Sequence, residues 1–422
     1  MDKGNELPVI KVIGVGGGGR NAVNHISEQG VFGLHLYAVN TDAKSLQNIK
    51  GVKTLTIGEK ITGGLGAGGN PDAGKGAALE SYLEIEKLLN GADLVILLVG
   101  MGGGTGTGAS PVIANIAKKL GILTIAITSQ PFPFEGKKRI SIAKQGIKKL
   151  NAKTDAIISL DCETLLHELG SEPRLLDAFN ALNKKISNIT TSLTGLITRP
   201  GLINIDLLDV KILFTNAGFS SYASAVSKGE NRASKAAHEA IKSAFSSDIN
   251  KKSCQGVLVN ITAGLDMSIG EFERVGQEIR GFISGDVAIV LGTVINEELT
   301  NSMQVSVFVT GIKENNSDKL RNTTIEHRAK DERLPSNKEF LDIPAFLRKA
   351  TEKTANEVSM SGINIVTSVT MSDEDIVELI SHLSNVYKSV GGDELVVDCV
   401  KNIPPNSNVN KGIFSSLRSA FR

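Results

Sequence analysis

Three glycine-rich segments are the part of this sequence best suited to binding a ligand. They occupy residues 14–19, 66–76 and 100–108 of the 422-residue chain, which contains 44 glycines in all. Glycines that are clustered without a fixed period allow a backbone to approach a ligand closely. Backbone N–H groups at the start of a helix favour anions, so such segments are typical of phosphate sites.

The first segment, residues 14–19, lies between a predicted strand and a helix that we expect to begin near Asn21. It satisfies the G-x-G-x-x-G fingerprint of dinucleotide-binding folds, and Asp42 lies about where such folds place a ribose-binding acid. An NAD-dependent oxidoreductase is therefore one hypothesis, although the sequence offers no obvious partner for hydride transfer. A flexible turn is the alternative structural explanation of the segment.

The second segment nearly matches a P-loop over residues 69–76. Gly76, however, stands where a serine or threonine must bind Mg²⁺, and no buried strand precedes the segment. We therefore reject the P-loop interpretation and expect Lys75 to be solvated.

The third segment follows the most hydrophobic predicted strand and precedes a helix expected over residues 111–120. Its N–H groups and the hydroxyls of Thr105 and Thr107 are suited to wrapping a polyphosphate at the positive end of that helix. Because a dinucleotide-dependent dehydrogenase does not need a second glycine cradle, this segment favours a different class of nucleotide-binding protein.

The elements that must position these segments alternate between strand and helix. Buried strands are predicted at residues 9–15, 34–39, 92–99 and 122–128, and helices at 80–89 and 111–120. This alternation is typical of an α/β fold whose parallel sheet is covered by helices on both faces. Apolar residues at helical spacing predict a long helix over 174–197, and a second mixed region has strands at 256–262, 287–293 and 304–310.

Composition excludes several classes of protein. Lys+Arg number 46 against 45 Asp+Glu, a formal net charge of +1, which argues against a general nucleic-acid binder. The longest apolar run, residues 94–99, is far too short to span a membrane. Cys162, Cys254 and Cys399 are far apart in the sequence, so we expect neither a disulfide framework nor a cysteine zinc site. We therefore expect the protein to reside in the reducing cytoplasm.

The composition of the chain changes at residue 313. Residues 313–339 carry charges of both signs and predict a flexible linker, which is followed by an isolated apolar peptide at 340–350. Residues 355–422 predict an extra small α/β unit with a strand, a capped helix and a second strand, ending in a basic amphipathic segment at 411–422. Because this unit is too small to bury a full core alone, we expect it to dock on another surface.

Residues 102–108, GGGTGTG, resemble the signature of the tubulin/FtsZ superfamily. Further phrases in the same order are similar to the FtsZ family in particular, at residues 10–19, 38–43, 64–68, 131–136, 200–206 and 229–233. The resemblance implies a tubulin/FtsZ-like α/β fold with a Rossmann-like GTP-binding domain. It places that domain at 1–173, a central connecting helix at 174–199 and a C-terminal GTPase-activating domain at 200–312.

The resemblance further implies a GTPase that polymerises head-to-tail. Its cofactor would be GTP or GDP with Mg²⁺, and its filaments would form the contractile Z ring at the midcell division site in the cytoplasm. Residues 342–348 resemble the family's docking peptide, which implies that membrane-tethering division proteins bind residues 340–348. We expect no nucleic-acid partner, no integral membrane segment and no metal site made by the protein alone.

The resemblance also assigns a nucleotide site to several separate segments. Glu135 and Arg139 would reach the ribose, Phe179 would lie along the guanine, and Asn183 would read its edge. Phe179 and Asn183 are four residues apart, so they share a helix face, although ordinary core and surface positions are the alternative. The remaining residues would surround the base side and the phosphates: Gly17, Gly18, Gly19, Arg20, Asn21, Asn40, Thr41, Asp42, Gly66, Ala67, Gly68, Gly69, Gly104, Thr105, Gly106 and Thr107.

The family resemblance assigns catalysis to a separate polar loop. Hydrolysis of GTP needs a positioned water, and Asp206 and Asp209, assisted by Asn204, would orient it after insertion into the next subunit's site. The alternative is an aspartate-rich loop that only caps a helix.

Several positions depart from the family pattern. Arg20 stands where glycine or asparagine is common, Asn183 where aspartate is common, and Phe219 and Tyr222 where small residues and methionine are usual. These departures and the extra C-terminal unit keep open a second hypothesis. It is a diverged relative that binds GTP and co-assembles with or regulates polymers without driving division.

Overall fold

The computed structural model describes residues 8–170, 172–199, 201–203, 205–245, 254–283, 285 and 287–312. The linker, the apolar peptide and the extra unit expected at 313–422 lie outside the described residues, as does Asn204. Among the helices of the described ranges, none is long and apolar enough to cross a membrane.

The strands of the described residues join into one mixed sheet. They are β1 (Ile10–Val15), β2 (Leu34–Asn40), β3 (Lys53–Thr56), β4 (Leu94–Gly100), β5 (Leu123–Ser129), β6 (Ala156–Leu160), β7 (Gly218–Lys228), β8 (Gly256–Ala263), β9 (Ala288–Ile295) and β10 (Ser302–Thr310). Their order in the sheet is β3-β2-β1-β4-β5-β6-β7-β10-β8-β9. Neighbours from β3 to β7 are parallel, β10 runs antiparallel to β7 and β8, and β8 and β9 are parallel. Each strand that the sequence predicts between residues 9 and 310 is confirmed to within two residues at either end, whereas the two strands predicted in residues 355–422 lie outside the described residues.

Helices cover both faces of the parallel part of the sheet, which confirms the predicted α/β class. They are α1 (Gly16–Glu28), α2 (Glu59–Thr62), α3 (Pro71–Glu80), α4 (Tyr82–Leu89), α5 (Thr105–Lys119), α6 (Lys137–Asn151), α7 (Cys162–Leu169), α8 (Leu175–Thr198), α9 (Leu207–Phe214), α10 (Arg232–Ala244) and α11 (Ile269–Phe282). Short 3-10 turns lie at Lys44–Leu46 and Pro133–Glu135.

Two predicted helix starts are wrong. The first helix begins at Gly16 rather than near Asn21, and α5 begins at Thr105 rather than at Pro111. The first helix follows β1 directly, whereas the short segment of residues 101–104 separates β4 from α5, and glycines contribute to the first turn of both helices. The N–H groups of a first turn have no partner within the helix. Glycines, which have no side chain, leave these N–H groups accessible.

The helix predicted over residues 80–89 is also wrong as a single element. It is split, because α3 ends at Glu80 and α4 begins at Tyr82. At the break, the hydroxyl of Ser81 accepts a hydrogen bond from the Gly58 N–H at 3.0 Å. A serine side chain that bonds the backbone of a neighbouring loop stabilises such an interruption.

Alternate residues of the buried strands point to opposite layers of helix. In β1, Ile10 and Val12 pack with α1 and α8, whereas Ile13 and Val15 pack with α3, α4, α5 and α6. The long α8 also contacts the second half of the sheet, because the Asn260 side-chain amide donates to the Ser192 carbonyl at 2.8 Å. The helix therefore joins both halves of the sheet through one buried layer.

The two aromatic departures on β7 are explained by packing. The Tyr222 ring lies 4.8 Å from that of Phe308, and its hydroxyl is 3.2 Å from the hydroxyl of Ser192 on α8. Phe219 packs on the opposite layer. Both side chains serve the core between sheet and helices rather than the glycine-rich segments.

A buried arginine ties together the helices and loops of the second half. The Arg232 side chain is 5% exposed and pairs with Asp266 and Glu271, each at 2.7 Å. Asp266 also accepts from the Asn301 N–H at 3.1 Å, so one guanidinium links α10, α11 and two loops. The hydrogen bond from Arg232 lowers the pKa of Glu271 to about 2, below its usual 4.5.

We expect Arg232→Met to lower the free energy of unfolding by about 2 kcal/mol, because it leaves a largely buried Glu271 without its cation. The contribution is complete above pH 4.5 and is lost as the pH falls toward about 2, since protonated Glu271 no longer needs the arginine. Urea unfolding at several pH values measures it. Arg274→Met, at an exposed position of α11, is the matched control; an equal loss in both variants would contradict the prediction.

Candidate functional site

The glycine-rich segments meet at the carboxyl ends of β1 and β4. These neighbouring strands mark the point where the chain reverses its order across the sheet, with β2 and β3 on one side and β5 to β7 on the other. Such a switch point opens a crevice that ligands occupy in α/β folds.

Two helix N-termini converge in this crevice. A Cβ atom placed on Gly16 would lie 2.8 Å from the Gly106 nitrogen, and one on Gly18 would lie 3.0 Å from the Gly100 Cα. Neither α1 nor α5 has a side-chain hydrogen bond at its N-cap. The first-turn N–H groups and the positive helix ends therefore favour a polyanion, and the donor set fits the phosphates of a nucleotide.

Neighbouring glycines in the first segment have different reasons to lack a side chain. A Cβ on Gly19 would overlap the Leu98 carbonyl oxygen, so packing of α1 against β4 excludes any larger residue there. A Cβ on Gly17 would have no protein atom within 4 Å, and Gly17 is exposed. Packing within the described residues thus accounts for Gly19 but not for Gly17.

The second glycine-rich segment forms a wall beside the third. Gly66, Gly68 and Gly69 have positive φ values of 94°, 57° and 75°, which glycine adopts without strain. The turn ends at Asn70, whose side chain caps α3, and a Cβ on Gly104 would lie 2.9 Å from the Asn70 nitrogen. Ala67 lies equally close to Gly104. Lys75 is exposed, as predicted.

Several predicted ligand side chains hydrogen-bond within the protein. The hydroxyls of Thr41 and Thr105 lie 2.6 Å apart, and Thr107 accepts from the Gly102 N–H at 2.9 Å. The buried Asn40 donates to the Ser45 hydroxyl, also at 2.6 Å. These groups hold the loops in place around the crevice.

Asp42 has a role in its own turn. Its carboxylate accepts from the Lys44 N–H at 3.0 Å and from the Ser45 N–H at 3.3 Å. This arrangement ties the carboxylate to the turn after β2, which does not support the ribose-binding acid of the dinucleotide hypothesis.

An aromatic group lies at the start of α8. The Phe179 ring is 39% exposed and makes an edge contact with Phe132 at 5.2 Å, and Phe132 in turn stacks on Phe134 at 5.2 Å. Asn183, half-buried, follows Phe179 one turn later on the same helix face. Phe132 and Phe134 are not among the predicted site residues, and the alternation of proline and phenylalanine after β5 is the signal in the sequence that points to them.

Glu135 and Arg139 form an ion pair of 2.7 Å at the start of α6. Glu135 also accepts from the Phe132 N–H at 2.9 Å, and the Arg139 guanidinium lies 3.9 Å from the position of a Cβ on Gly103. The pair therefore lies between the aromatic group and the third glycine-rich segment. Behind it, burial raises the pKa of Cys162 to about 12, which keeps this sulfur an unreactive thiol.

Arg20 follows the glycines on α1. Its guanidinium donates to the Asn21 side chain at 2.9 Å, but its buried Nε has no hydrogen-bond partner among the described residues. Such a donor is uncommon in folded proteins.

The catalytic candidates are not near this crevice. Asp206 caps α9 by accepting from the Asp209 N–H at 2.8 Å, and Asp209 accepts from the Asp206 N–H at 3.3 Å. Lys211 of α9 and Thr215, which follows the helix, line a cavity of about 210 Å³ together with Asp155 and the start of β5, at the amino ends of the parallel strands. The two aspartates therefore belong to the opposite edge of the sheet from the glycine-rich segments.

Within the described ranges, no group of three or more His, Cys, Asp or Glu side chains is placed to hold a metal ion. Mg²⁺ that accompanies a nucleotide would rely on phosphate oxygens for several of its ligands, as this ion commonly does.

Comparison with known proteins agrees with this geometry. Residues 9–170 match the GTPase-domain model of the Tubulin/FtsZ family, and residues 220–313 match the C-terminal-domain model of the FtsZ family. The chain is 41% identical over 373 residues to Cell division protein FtsZ of Buchnera aphidicola subsp. Schizaphis graminum, covering 82% of this chain and 97% of that one. Identity to Cell division protein FtsZ of Pseudomonas aeruginosa is 40%, covering 84% and 92%.

Solved structures give the same result. An empty FtsZ dimer from M. jannaschii is 36% identical, with a TM-score of 0.68, and covers 73% of this chain and 89% of its own. CetZ2 from Haloferax volcanii, a GTPγS-bound protofilament, is 20% identical with a TM-score of 0.64, covers 76% and 99%, and shares the fold.

These relatives favour the polymerising division GTPase over the diverged regulator, and they offer no support for an NAD-dependent oxidoreductase. The glycine cradle, the parallel sheet and the matched sequences together lead to one conclusion: the chain belongs to the FtsZ family, whose members are GTP-binding, GTP-hydrolysing proteins that self-assemble in cell division.

Proposed function

We propose that GTP binds in the crevice between α1 and α5. The observation that carries this proposal is the convergence of two uncapped helix N-termini at an exposed glycine, Gly17, whose missing side chain no described neighbour explains. The N–H groups of Gly17, Gly18, Thr105 and Gly106 would donate to the phosphates. Mg²⁺ bound with the nucleotide would neutralise charge on the phosphates.

The guanosine would lie toward α8. Phe179 offers an exposed aromatic surface held by Phe132, and Asn183 offers an amide one turn away that can both donate and accept. Glu135 and Arg139 are already paired beside the third segment, which suits contact with the ribose. Arg20 would add a cation, and its unpartnered Nε suits a negatively charged oxygen.

Hydrolysis would need two subunits. Asp206 and Asp209 lie at the opposite edge of the sheet from the glycine cradle, so they would orient water only in the site of a neighbour stacked head-to-tail. Exposed apolar side chains occur at both edges, with Leu208 65% exposed beside the aspartates and Phe134 60% exposed beside the cradle. A contact between two different surfaces that does not close produces a filament.

We also propose the finer organisation of the chain and its place in the cell. Residues 1–173 would form the GTP-binding domain, 174–199 the connecting helix and 200–312 the activating domain. The peptide at 340–348, outside the described residues, would bind membrane-tethering proteins and so hold cytoplasmic filaments at the midcell division site.

Gly17→Ala should weaken GTP binding by roughly tenfold or more while leaving the free energy of unfolding unchanged or slightly higher. The added methyl group meets no protein atom, but it would occupy the space of the phosphates. Titration with fluorescent GTP and urea unfolding measure the two effects. Gly281→Ala, also exposed on a helix with open space around its Cβ, is the control; normal GTP affinity in Gly17→Ala would contradict the proposed site.

Asp209→Ala should leave GTP binding nearly intact and slow hydrolysis by about tenfold or more, because one water-orienting group is removed. Asp209→Asn keeps an oxygen that can accept from the Asp206 N–H, so this variant preserves the helix cap while removing the carboxylate charge. A loss of hydrolysis in Asp209→Asn equal to that in Asp209→Ala would therefore assign the effect to catalysis rather than to helix capping. Phosphate release is the measurement. Mixing Asp209→Ala with Gly17→Ala should restore activity through composite sites, whereas normal hydrolysis by both Asp209 variants would exclude the role.

Deletion of residues 340–348 should preserve GTP-dependent pelleting and abolish binding to membrane-tethering division proteins. The reason is that an isolated apolar and basic peptide needs a partner to bury its apolar side chains. Pelleting and pull-down assays test the two effects. Loss of pelleting in the deletion would instead indicate that the peptide packs on its own protein.

A further inference from the structure

The outer face of α6 carries exposed positive charge with no negative charge. Lys137, Lys138, Lys144, Lys148 and Lys149 are all exposed, and the helix Lys137–Asn151 contains neither aspartate nor glutamate. Its buried side consists of small and apolar residues that pack on the sheet. The chain as a whole is nearly neutral, at +1, so this face is a local concentration of cations.

None of these five lysines forms an ion pair with another described residue; the pair made by α6 is that of Arg139 with Glu135. Lys144 and Lys148 are four residues apart, a spacing at which like charges destabilise a helix. Lys137 and Lys138 stand in a first turn that has no acidic residue, where the helix dipole disfavours cations. An anionic partner would relieve these repulsions.

The position of α6 leaves this face free in the proposed filament. The helix connects β5 to β6, which are parallel, so it runs alongside the strands in the opposite direction. Head-to-tail contacts use the two edges where the strands end. The first turn of α6 lies at the cradle edge with Glu135 and Arg139. The part of the face that carries Lys144, Lys148 and Lys149, however, would lie along the side of the filament and recur once in every subunit.

Resting on that head-to-tail arrangement, we propose that the lysine face of α6 binds the anionic lipid surface of a membrane. Each lysine near such a surface contributes about 1 kcal/mol, and repetition along a filament multiplies weak contacts. The face has no aromatic residue for stacking on bases, and its cations are lysines, which act as point charges rather than as bidentate phosphate readers. These features favour a lipid surface over a nucleic acid.

The test compares the full-length protein with the triple variant Lys144→Gln, Lys148→Gln and Lys149→Gln. The control is a second triple variant, Lys87→Gln, Lys235→Gln and Lys242→Gln, because these lysines are also exposed but lie on α4 and α10. Flotation with phosphatidylglycerol–phosphatidylcholine vesicles is measured in GTP and in GDP, and pelleting without vesicles reports assembly. All variants keep residues 411–422, so any contribution of that segment is the same in each.

We expect the α6 variant to bind these vesicles about tenfold more weakly or worse, with normal pelleting, and the control to bind like the wild type. Binding should weaken with added salt and vanish on pure phosphatidylcholine vesicles. Equal vesicle binding by the α6 variant and the control variant, in GTP and in GDP, would overturn the proposal. The proposal would also be overturned if the protein bound duplex DNA more tightly than vesicles and the α6 substitutions weakened that DNA binding. If the wild type did not pellet in GTP, that result would count against the head-to-tail arrangement. The comparison of vesicle binding by the α6 variant and the control variant in GDP would still test the lysine face.

Discussion

The close approach of two helix N-termini through glycine is the contact on which the rest of this structure depends. Gly16 faces Gly106, and Gly18 faces Gly100, at separations that no side chain could enter without displacing the backbone. These contacts bring α1 and α5 together at the ends of two adjacent strands. Their uncapped first turns then point into one crevice, so the same absence of side chains produces both the packing and the anion site.

This arrangement gives the molecule two chemically different edges. The edge with the glycine cradle offers N–H donors and positive helix ends, whereas the other edge carries Asp206 and Asp209 at the start of α9. Both aspartates already stabilise that helix as a capping box, so a catalytic role would be added to a structural one. Because a subunit cannot bring its own edges together, assembly and hydrolysis become coupled in the proposed filament.

The long helix α8 connects the proposed nucleotide site to the second half of the sheet. One end carries Phe179 beside the proposed nucleotide site, and the middle is joined to the second half of the sheet through Ser192, Asn260 and Tyr222. Arg232 then ties the outer helices of that half to its loops. A rigid layer of this kind transmits small displacements because closely packed interiors deform little.

The sequence by itself determined the α/β class, the buried strands, the long helix and the ligand class, because hydrophobic periodicity and clustered glycines are local signals. It missed β7, whose run of serine and alanine has no clear alternation and becomes a strand by pairing with β6 and β10. It also treated Gly17 and Gly19 alike and did not indicate that the Thr107 hydroxyl accepts from the Gly102 N–H. Only the tertiary structure separates these cases, since what a glycine or a hydroxyl contributes depends on which distant backbone lies against it.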